Sequence, residues 1–209
     1  MKLCAVVATD MEANHFQNPS VPIVVSGIGA VGAALSTQQA IALHQPDLLI
    51  HLGIGGVYPG RGVFPGQAVC ASAVTYGDLG AEDGQGFLSL SDLGFSMLGG
   101  FYNGLPVWEG SHALATRLDL RSGLFVTVNT TTGSRATLDK MSLRYPDALV
   151  EDMESAGVVH GALLREVPTL VVRGISNEVG PRDRETWKIR EALNACSKIF
   201  SQIVECILP

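Results

Sequence analysis

Short apolar runs rich in β-branched residues recur along the chain and constrain its fold more than any other feature. They fall at residues 3–9, 21–27, 47–53, 67–76, 124–131 and 169–176. Several are apolar at successive rather than alternate positions, which is typical of strands buried on both faces of a sheet. Helices are predicted between or after them, at residues 30–44, 134–144, 152–165 and 184–208. This alternation predicts a single-domain α/β fold over residues 1–209, with a mixed, mainly parallel central sheet flanked by helices. Residues 77–110 are predicted to form a long surface excursion.

The composition indicates one well-buried domain. Hydrophobic residues make up 46% of the chain and charged residues only 16%, and the net charge is −6. A weakly acidic chain without a basic cluster favours neither nucleic acid nor a membrane as a partner. The N-terminus shows no signal-peptide pattern, and four scattered cysteines without a C-x-x-C pair predict buried free thiols in the reducing cytoplasm. No metal or organic cofactor is expected, because no cluster of ligand residues stands out.

Two glycine-rich segments each follow a predicted strand. Residues 27–32 spell G-x-G-x-x-G, the form of a dinucleotide fingerprint. The next strand lacks a terminal acid to bind the adenosine ribose, which disfavours NAD; a tight turn and an anion or sugar site both remain open. Residues 53–56, GIGG, predict either an ordinary turn or a close approach of backbone N–H groups to a ligand. Gly55 and Gly56 are therefore candidate substrate-binding positions.

Four segments carry a resemblance to a known family. They are ATDME at residues 8–12, VVSGIGAVGAA at 24–34, EDMESAG at 151–157 and VVRGISNEVG at 171–180. In this order and spacing they resemble the nucleoside phosphorylase and nucleosidase family, which includes methylthioadenosine/adenosylhomocysteine nucleosidase. The resemblance covers most of the chain. It implies an enzyme that cleaves the N-glycosidic bond of a small purine nucleoside and assembles as a homodimer or larger homo-oligomer.

The resemblance also implies roles for individual residues. Glu12 falls where a carboxylate orients the attacking water, and Asn177 falls where the family places the group facing N7 of the purine. Met153 and Glu154 match a pair in which Met packs on the sugar and Glu binds the ribose hydroxyls. Such groups suit the chemistry, because cleavage builds positive charge on the sugar and negative charge on the base. Singly, each polar residue also has a structural interpretation, as a solvated acid, a helix-start charge or a turn residue. Jointly, they favour catalysis.

The glycine segment at residues 53–56 and the residues around it bear on the choice of nucleophile. Phosphorylases that resemble this chain carry an Arg and a Ser there, which hold phosphate. This chain has His51 and Ile54 instead. A largely neutral imidazole cannot replace the always-charged, bidentate fork of Arg, and an Ile side chain donates nothing. The sequence therefore predicts hydrolysis by water.

Asn177 further bears on the identity of the purine. Adenine-specific nucleosidases resembling this chain carry Asp at this position, whereas a carboxamide, with one fixed donor and one fixed acceptor, better suits a 6-oxopurine. The strings at residues 76–90 and 175–193 resemble the futalosine hydrolase branch of the family, which releases hypoxanthine from futalosine in menaquinone biosynthesis and leaves dehypoxanthinyl futalosine. Methylthioadenosine/adenosylhomocysteine nucleosidase is the alternative enzyme. A non-catalytic nucleoside- or NAD-binding protein is the alternative from another class.

The substrate of the futalosine hydrolase branch carries an aromatic carboxylate on its 5′ side. Arg182 and Arg184 follow Asn177 closely, so either is a candidate partner for that carboxylate. A solvated basic segment at the start of a helix explains both arginines equally well. The same resemblance suggests that the loop at residues 77–90 lies near the 5′ pocket of a neighbouring subunit.

Overall fold

A computed structural model describes residues 1–84 and 86–208 of the protein. The strands are β1 (Leu3–Val7), β2 (Ile23–Val25), β3 (Leu48–His51), β4 (Ile54–Val57), β5 (Ala68–Tyr76), β6 (Gly80–Glu82), β7 (Phe87–Ser89), β8 (Gly104–Pro106), β9 (Arg121–Thr127), β10 (Ala148–Asp152) and β11 (Thr169–Glu178). The helices are α1 (Asp10–His15), α2 (Ala30–His44), α3 (Leu90–Leu93), α4 (Ser111–Arg117), α5 (Arg135–Arg144), α6 (Ser155–Leu163) and α7 (Ile189–Ile207), with a 3-10 turn at Arg184–Thr186.

The main sheet is mixed and has the strand order β2-β1-β3-β11-β4-β10-β9-β5-β8. Most neighbours are parallel, whereas β4–β10, β5–β11 and β5–β8 are antiparallel. Because β11 pairs with β3 and β4 along one edge and with β5 along the other, the strands β11, β4, β10, β9 and β5 close into a ring. The predicted fold class, a single-domain mixed and mainly parallel sheet flanked by helices, is confirmed.

The close packing of α2 on α6 fixes one side of the future site. A Cβ added at Gly157 in α6 would lie 2.2 Å from the backbone oxygen of Ala30, and one at Gly161 would lie 2.8 Å from that of Ala34. Only glycine fits such an approach. The contact at Ala30 brings the first turns of the two helices together, and with them the loops that precede each helix.

The predicted helix at residues 152–165 is wrong at its start. Asp152 is the last residue of β10, and α6 begins only at Ser155. The short apolar run of this strand ends in two acids, which on sequence alone indicate a helix N-terminus. Both acids are buried, because tertiary partners satisfy their oxygens in the folded chain. The final helix also starts later than predicted, at Ile189.

The glycine segment at residues 53–56 is a strand rather than a turn. Ile54–Val57 forms β4, between β11 and β10. A Cβ at Gly55 would lie 2.8 Å from Cγ1 of Val150, and one at Gly56 would lie 3.0 Å from Cγ2 of Val179. The glycines therefore allow neighbouring side chains to approach the strand closely, which is one of the recognised reasons for glycine in a sheet.

Residues 77–110 hold more regular structure than a surface excursion. They contain the β6–β7 hairpin, α3, and β8, which extends the main sheet beside β5.

The cysteines are free: Cys4, Cys70 and Cys196 are buried, as predicted, whereas Cys206 is partly exposed. Among the described residues, no helix combines the length and the apolar character needed to cross a bilayer.

Candidate active site

A cavity of about 320 Å³ lies where β1, β10 and β11 end and where β4 begins. Glycines, threonines and small apolar residues form much of its wall, together with four carboxylates. It brings together most of the residues that the sequence singled out, from five separate parts of the chain: Glu12, Gly55, Gly56, Met153, Glu154, Asn177 and Arg182. Arg184 does not line it.

Glu12 is held rigidly at one end of the cavity. A capping box at the start of α1 fixes it: its Oε2 accepts hydrogen bonds from the backbone N–H of Ala8 and of Thr9 and from the Thr9 hydroxyl, each at 3.0 Å. Its Oε1 accepts from the N–H of Ile54 at 3.3 Å. The side chain is buried yet lines the cavity. A Cβ at Gly53 would lie only 2.8 Å from Oε1, so this glycine leaves room for the carboxylate.

Glu154 lies in the same cavity and is held by the glycine loop before α2. Its Oε1 accepts a hydrogen bond from the backbone N–H of Gly29 at 3.0 Å. Gly29 has φ of +98°, a conformation that favours glycine. The dinucleotide-like loop thus binds a carboxylate of the protein itself. Burial, followed by the nearby charge of Asp152, raises the pKa of Glu154 from 4.5 to about 7.

A buried ionic network lies under the site. Asp152 Oδ2 is 3.1 Å from Nε of Arg173, and Asp152 Oδ1 accepts the Thr127 hydroxyl at 2.8 Å. Burial alone opposes ionisation of Asp152, but Arg173 and the donated hydrogen bonds outweigh it and lower the pKa of this carboxyl. A Cβ at Gly53 would lie 3.5 Å from Cζ of Arg173, so the guanidinium lies close to Gly53, at the floor of the cavity that Gly55 and Gly56 of β4 form.

His51 belongs to this network and not to the wall of the cavity. It is fully buried, its Nδ1 is 2.9 Å from the carbonyl oxygen of Val6, and its Nε2 meets Arg173. Burial and then the charge of Arg173 lower the pKa of His51 to about 3, so the imidazole is neutral. A neutral ring can donate from Nδ1 and accept at Nε2. His51 is therefore not available to bind an anion in the cavity.

Asn177 enters the cavity at a β-bulge near the end of β11. The register with β4 shifts between Ile175, opposite Gly55, and Asn177, opposite Gly56. Such a bulge re-aims the side chain. The Oδ1 of Asn177 accepts the Ser176 hydroxyl at 2.8 Å, and its Nδ2 donates to the Glu178 carbonyl at 2.8 Å. One N–H of the carboxamide is left to serve a ligand.

The two arginines are placed differently. Arg182 is exposed at the rim of the cavity, where its Nη1 donates to the Thr131 hydroxyl at 3.4 Å and its guanidinium lies 5.2 Å from the ring centroid of Trp187. Arg184 lies 6.0 Å from the same ring centroid and is not part of the wall. The geometry therefore favours Arg182 as the candidate substrate ligand.

Several residues of the wall were not predicted. Glu151, Asp152, Thr132, Ser176 and Trp187 all line the cavity. The only sequence signal for the two acids was their place beside Met153 and Glu154 in EDMES. Within residues 1–84 and 86–208, no group of three or more His, Cys, Asp or Glu side chains is placed to hold a metal ion.

Fold and site together define the class of the protein. The chain belongs to the Phosphorylase superfamily, whose pattern it matches over residues 8–208. The family predicted from the four segments is thereby confirmed. Futalosine hydrolase of Streptomyces coelicolor is 39% identical over 186 residues, which cover 87% of this chain and 77% of that protein. The resemblance to the futalosine hydrolase branch is confirmed with it.

Nucleosidases of the same superfamily are also similar. The 5′-methylthioadenosine/S-adenosylhomocysteine nucleosidase of Chromohalobacter salexigens is 27% identical over 182 residues, which cover 80% of this chain and 71% of that protein. The crystal structure of the Neisseria meningitidis nucleosidase in complex with methylthio-immucillin-A matches with a TM-score of 0.84 at 17% identity, and covers 99% of this chain and 100% of that one. At this identity the likeness concerns the fold.

Proposed function

We propose that the protein is an N-glycosidase that hydrolyses futalosine, releases hypoxanthine and leaves dehypoxanthinyl futalosine, a reaction of menaquinone biosynthesis. The observation that carries the proposal is the convergence of Glu12, Glu154 and Asn177 on one cavity. The similarity to futalosine hydrolase of Streptomyces coelicolor supports this substrate over others of the superfamily.

In the proposed reaction, water attacks the anomeric carbon while the bond to the purine nitrogen breaks. Glu12 holds this water and takes its proton, a form of assistance typically worth about 10²–10⁴-fold in rate. Glu154 accepts hydrogen bonds from the ribose hydroxyls, and its charge stabilises the cationic sugar. Asn177 donates its remaining N–H as a hydrogen bond to N7 and stabilises the negative charge that develops on the departing base. The base then takes up, through solvent, the proton that Glu12 removed from the water, which leaves the base neutral and regenerates the Glu12 carboxylate.

The charges of the wall favour water over phosphate as the nucleophile. Glu12, Glu151, Asp152 and Glu154 all line the cavity, and among the described wall residues Arg182 is the one cation. Arg173 is buried under the floor, and its charge is shared with Asp152. A phosphate ion would therefore meet mostly negative groups, whereas the same groups stabilise a positively charged sugar.

The 5′ substituent of futalosine is proposed to end on Arg182. Its guanidinium lies at the rim, where a carboxylate on a long substituent can reach it and form charge-assisted hydrogen bonds. Arg182→Ala should raise KM for futalosine about tenfold or more and leave inosine hydrolysis nearly unchanged. Arg184→Ala, a matched loss of one charge two residues away, is the control. Equal effects of both substitutions on both substrates would contradict this role.

A panel of nucleosides tests the function directly. Futalosine, inosine and methylthioadenosine are incubated with the protein, with and without phosphate, and the freed base and sugar are identified. The proposal expects hypoxanthine from futalosine, no dependence on phosphate and no sugar phosphate. Preferential release of adenine from methylthioadenosine would assign the alternative nucleosidase. Nucleoside binding without release of any base would assign a non-catalytic binding protein.

A cytoplasmic homo-oligomer is part of the proposal. Support for the cytoplasm comes from the buried free thiols of Cys4, Cys70 and Cys196, which fit a reducing compartment. Support for the oligomer comes from large apolar side chains that are exposed on and just before α2, next to the cavity: Ile28, Val31 and Leu35, each more than 60% exposed. Ile28 also lines the cavity, so a second copy covering this surface would complete the mouth of the site. Sedimentation velocity of the purified protein tests the oligomeric state, and a monomer at micromolar concentration would refute the homo-oligomer.

A further inference from the structure

Glu151 is a buried carboxylate in the cavity wall for which the reaction outlined above has no use. It is 5% exposed. Its Oε1 accepts the backbone N–H of Thr132 at 2.7 Å, and its Oε2 accepts the hydroxyls of Thr132 at 2.6 Å and of Tyr58 at 3.1 Å. A carboxylate offers about four acceptor positions. Three are occupied, and the free one is on Oε1.

The sheet aligns Glu151 with Asn177 across one intervening strand. Glu151 of β10 is opposite Gly56 of β4, and Gly56 is opposite Asn177 of β11. Residues directly opposite each other in neighbouring strands project from the same face. Gly56 has no side chain, and a Cβ there would lie 3.2 Å from Nδ2 of Asn177. At this position β4 therefore places no side chain between the carboxamide and the carboxylate, and the other atom close to it is Cγ2 of Val179, 3.0 Å from where a Cβ would lie.

The two kinds of purine differ at the edge that Glu151 would meet. N1 of a 6-oxopurine carries a hydrogen, whereas N1 of a 6-aminopurine carries a lone pair. With Asn177 at the N7 side, the N1 edge is directed across the floor toward β10. The backbone N–H of Thr132, a nearby donor for a lone pair, is already bound to Glu151. This end of the floor thus offers an acceptor.

We infer that Glu151 is a specificity-determining residue that accepts the N1 hydrogen of a 6-oxopurine and disfavours 6-aminopurines. The inference rests on the proposed function, because it assumes that the base lies between Asn177 and Glu151. The physical reason is an asymmetry: a hydrogen bond to a buried carboxylate replaces the one lost to water, whereas a lone pair facing the same carboxylate is left unpaired and repelled.

The test compares futalosine with its 6-amino analogue in the wild type and in Glu151→Gln. The Gln side chain keeps the volume but has one oxygen: with that oxygen toward the hydroxyls of Thr132 and Tyr58, its N–H₂ group takes the place of Oε1 and donates toward N1, at the cost of the hydrogen bond from the N–H of Thr132. The ratio of kcat/KM for futalosine to that for the 6-amino analogue should fall by about 10²-fold. Tyr58→Phe is the matched control, since it removes one donor to the same carboxylate and leaves the free acceptor; its ratio should stay within about threefold of wild type.

A purely structural role for Glu151 would lower both rates alike and leave the ratio unchanged, and that result would overturn the inference while the proposed function stands. If the wild type released no base from futalosine, the proposed function would fail instead. Calorimetric binding of free hypoxanthine and adenine then decides the role of Glu151. A preference for hypoxanthine that disappears in Glu151→Gln supports the inference. No preference in the wild type, or one that the substitution leaves intact, refutes it.

Discussion

Ionisation of Glu154 should make the protein less stable as the pH rises. Burial raises its folded-state pKa from 4.5 to about 7, so the folded chain binds this proton more tightly than the unfolded chain does. The corresponding stabilisation is complete below pH 4.5 and is lost as the pH rises through 7. One pKa unit is about 1.4 kcal/mol, so the ionised carboxylate costs about 3 kcal/mol at pH 8. At pH 5 the cost is about 1 kcal/mol.

Glu154→Gln removes this cost, because the amide is neutral and its oxygen can still accept the N–H of Gly29. The stability of the variant relative to wild type, from urea unfolding of the ligand-free protein, should increase by about 2 kcal/mol between pH 5 and pH 8. Glu205→Gln, exposed on α7, is the control and should show no such change. A change below about 0.5 kcal/mol for Glu154→Gln would refute the argument. The same variant should lose catalysis, because a neutral amide cannot stabilise a cationic sugar.

Two further substitutions test the role of Glu12 as the base and its placement in the cavity. Glu12→Gln should lower kcat for futalosine about 10²–10⁴-fold, because an amide cannot take a proton from water. The control Asp10→Asn, exposed in the same helix, should leave kcat unchanged. Steady-state kinetics measure both variants, and a Glu12→Gln enzyme of normal activity would exclude Glu12 as the base. Gly53→Ala should lower kcat about tenfold or more, because its Cβ would lie 2.8 Å from Oε1 of Glu12 and displace the carboxylate. The control Gly104→Ala, whose Cβ meets open space, should leave kcat unchanged. Unchanged kinetics of Gly53→Ala would show that Glu12 tolerates the shift.

Elements with a long apolar run were predictable, even where the run holds a buried charge such as Arg173 of β11. Two short strands with atypical residues, β10 and β4, were not. β1 and β3 are continuous apolar runs and were identified with bounds close to those of the structure. β10 was missed, because its last two residues are acids that a local pattern assigns to a helix start. β4 was missed, because three of the residues 53–56 are glycine, and their function in the sheet depends on side chains from distant parts of the chain.

The sequence by itself determined the fold class and the family, and it supplied most of the candidate residues that line the cavity, because apolar periodicity and short motifs are local properties of the chain. Only the tertiary structure decided which charged groups are buried together and in which protonation state. The pKa of Glu154 depends first on burial, then on the charge of Asp152, and also on the N–H of Gly29, 125 residues away in the chain. The neutral state of His51 depends on burial and on Arg173, 122 residues away. Such energies arise from distances in the folded protein, which no local pattern encodes.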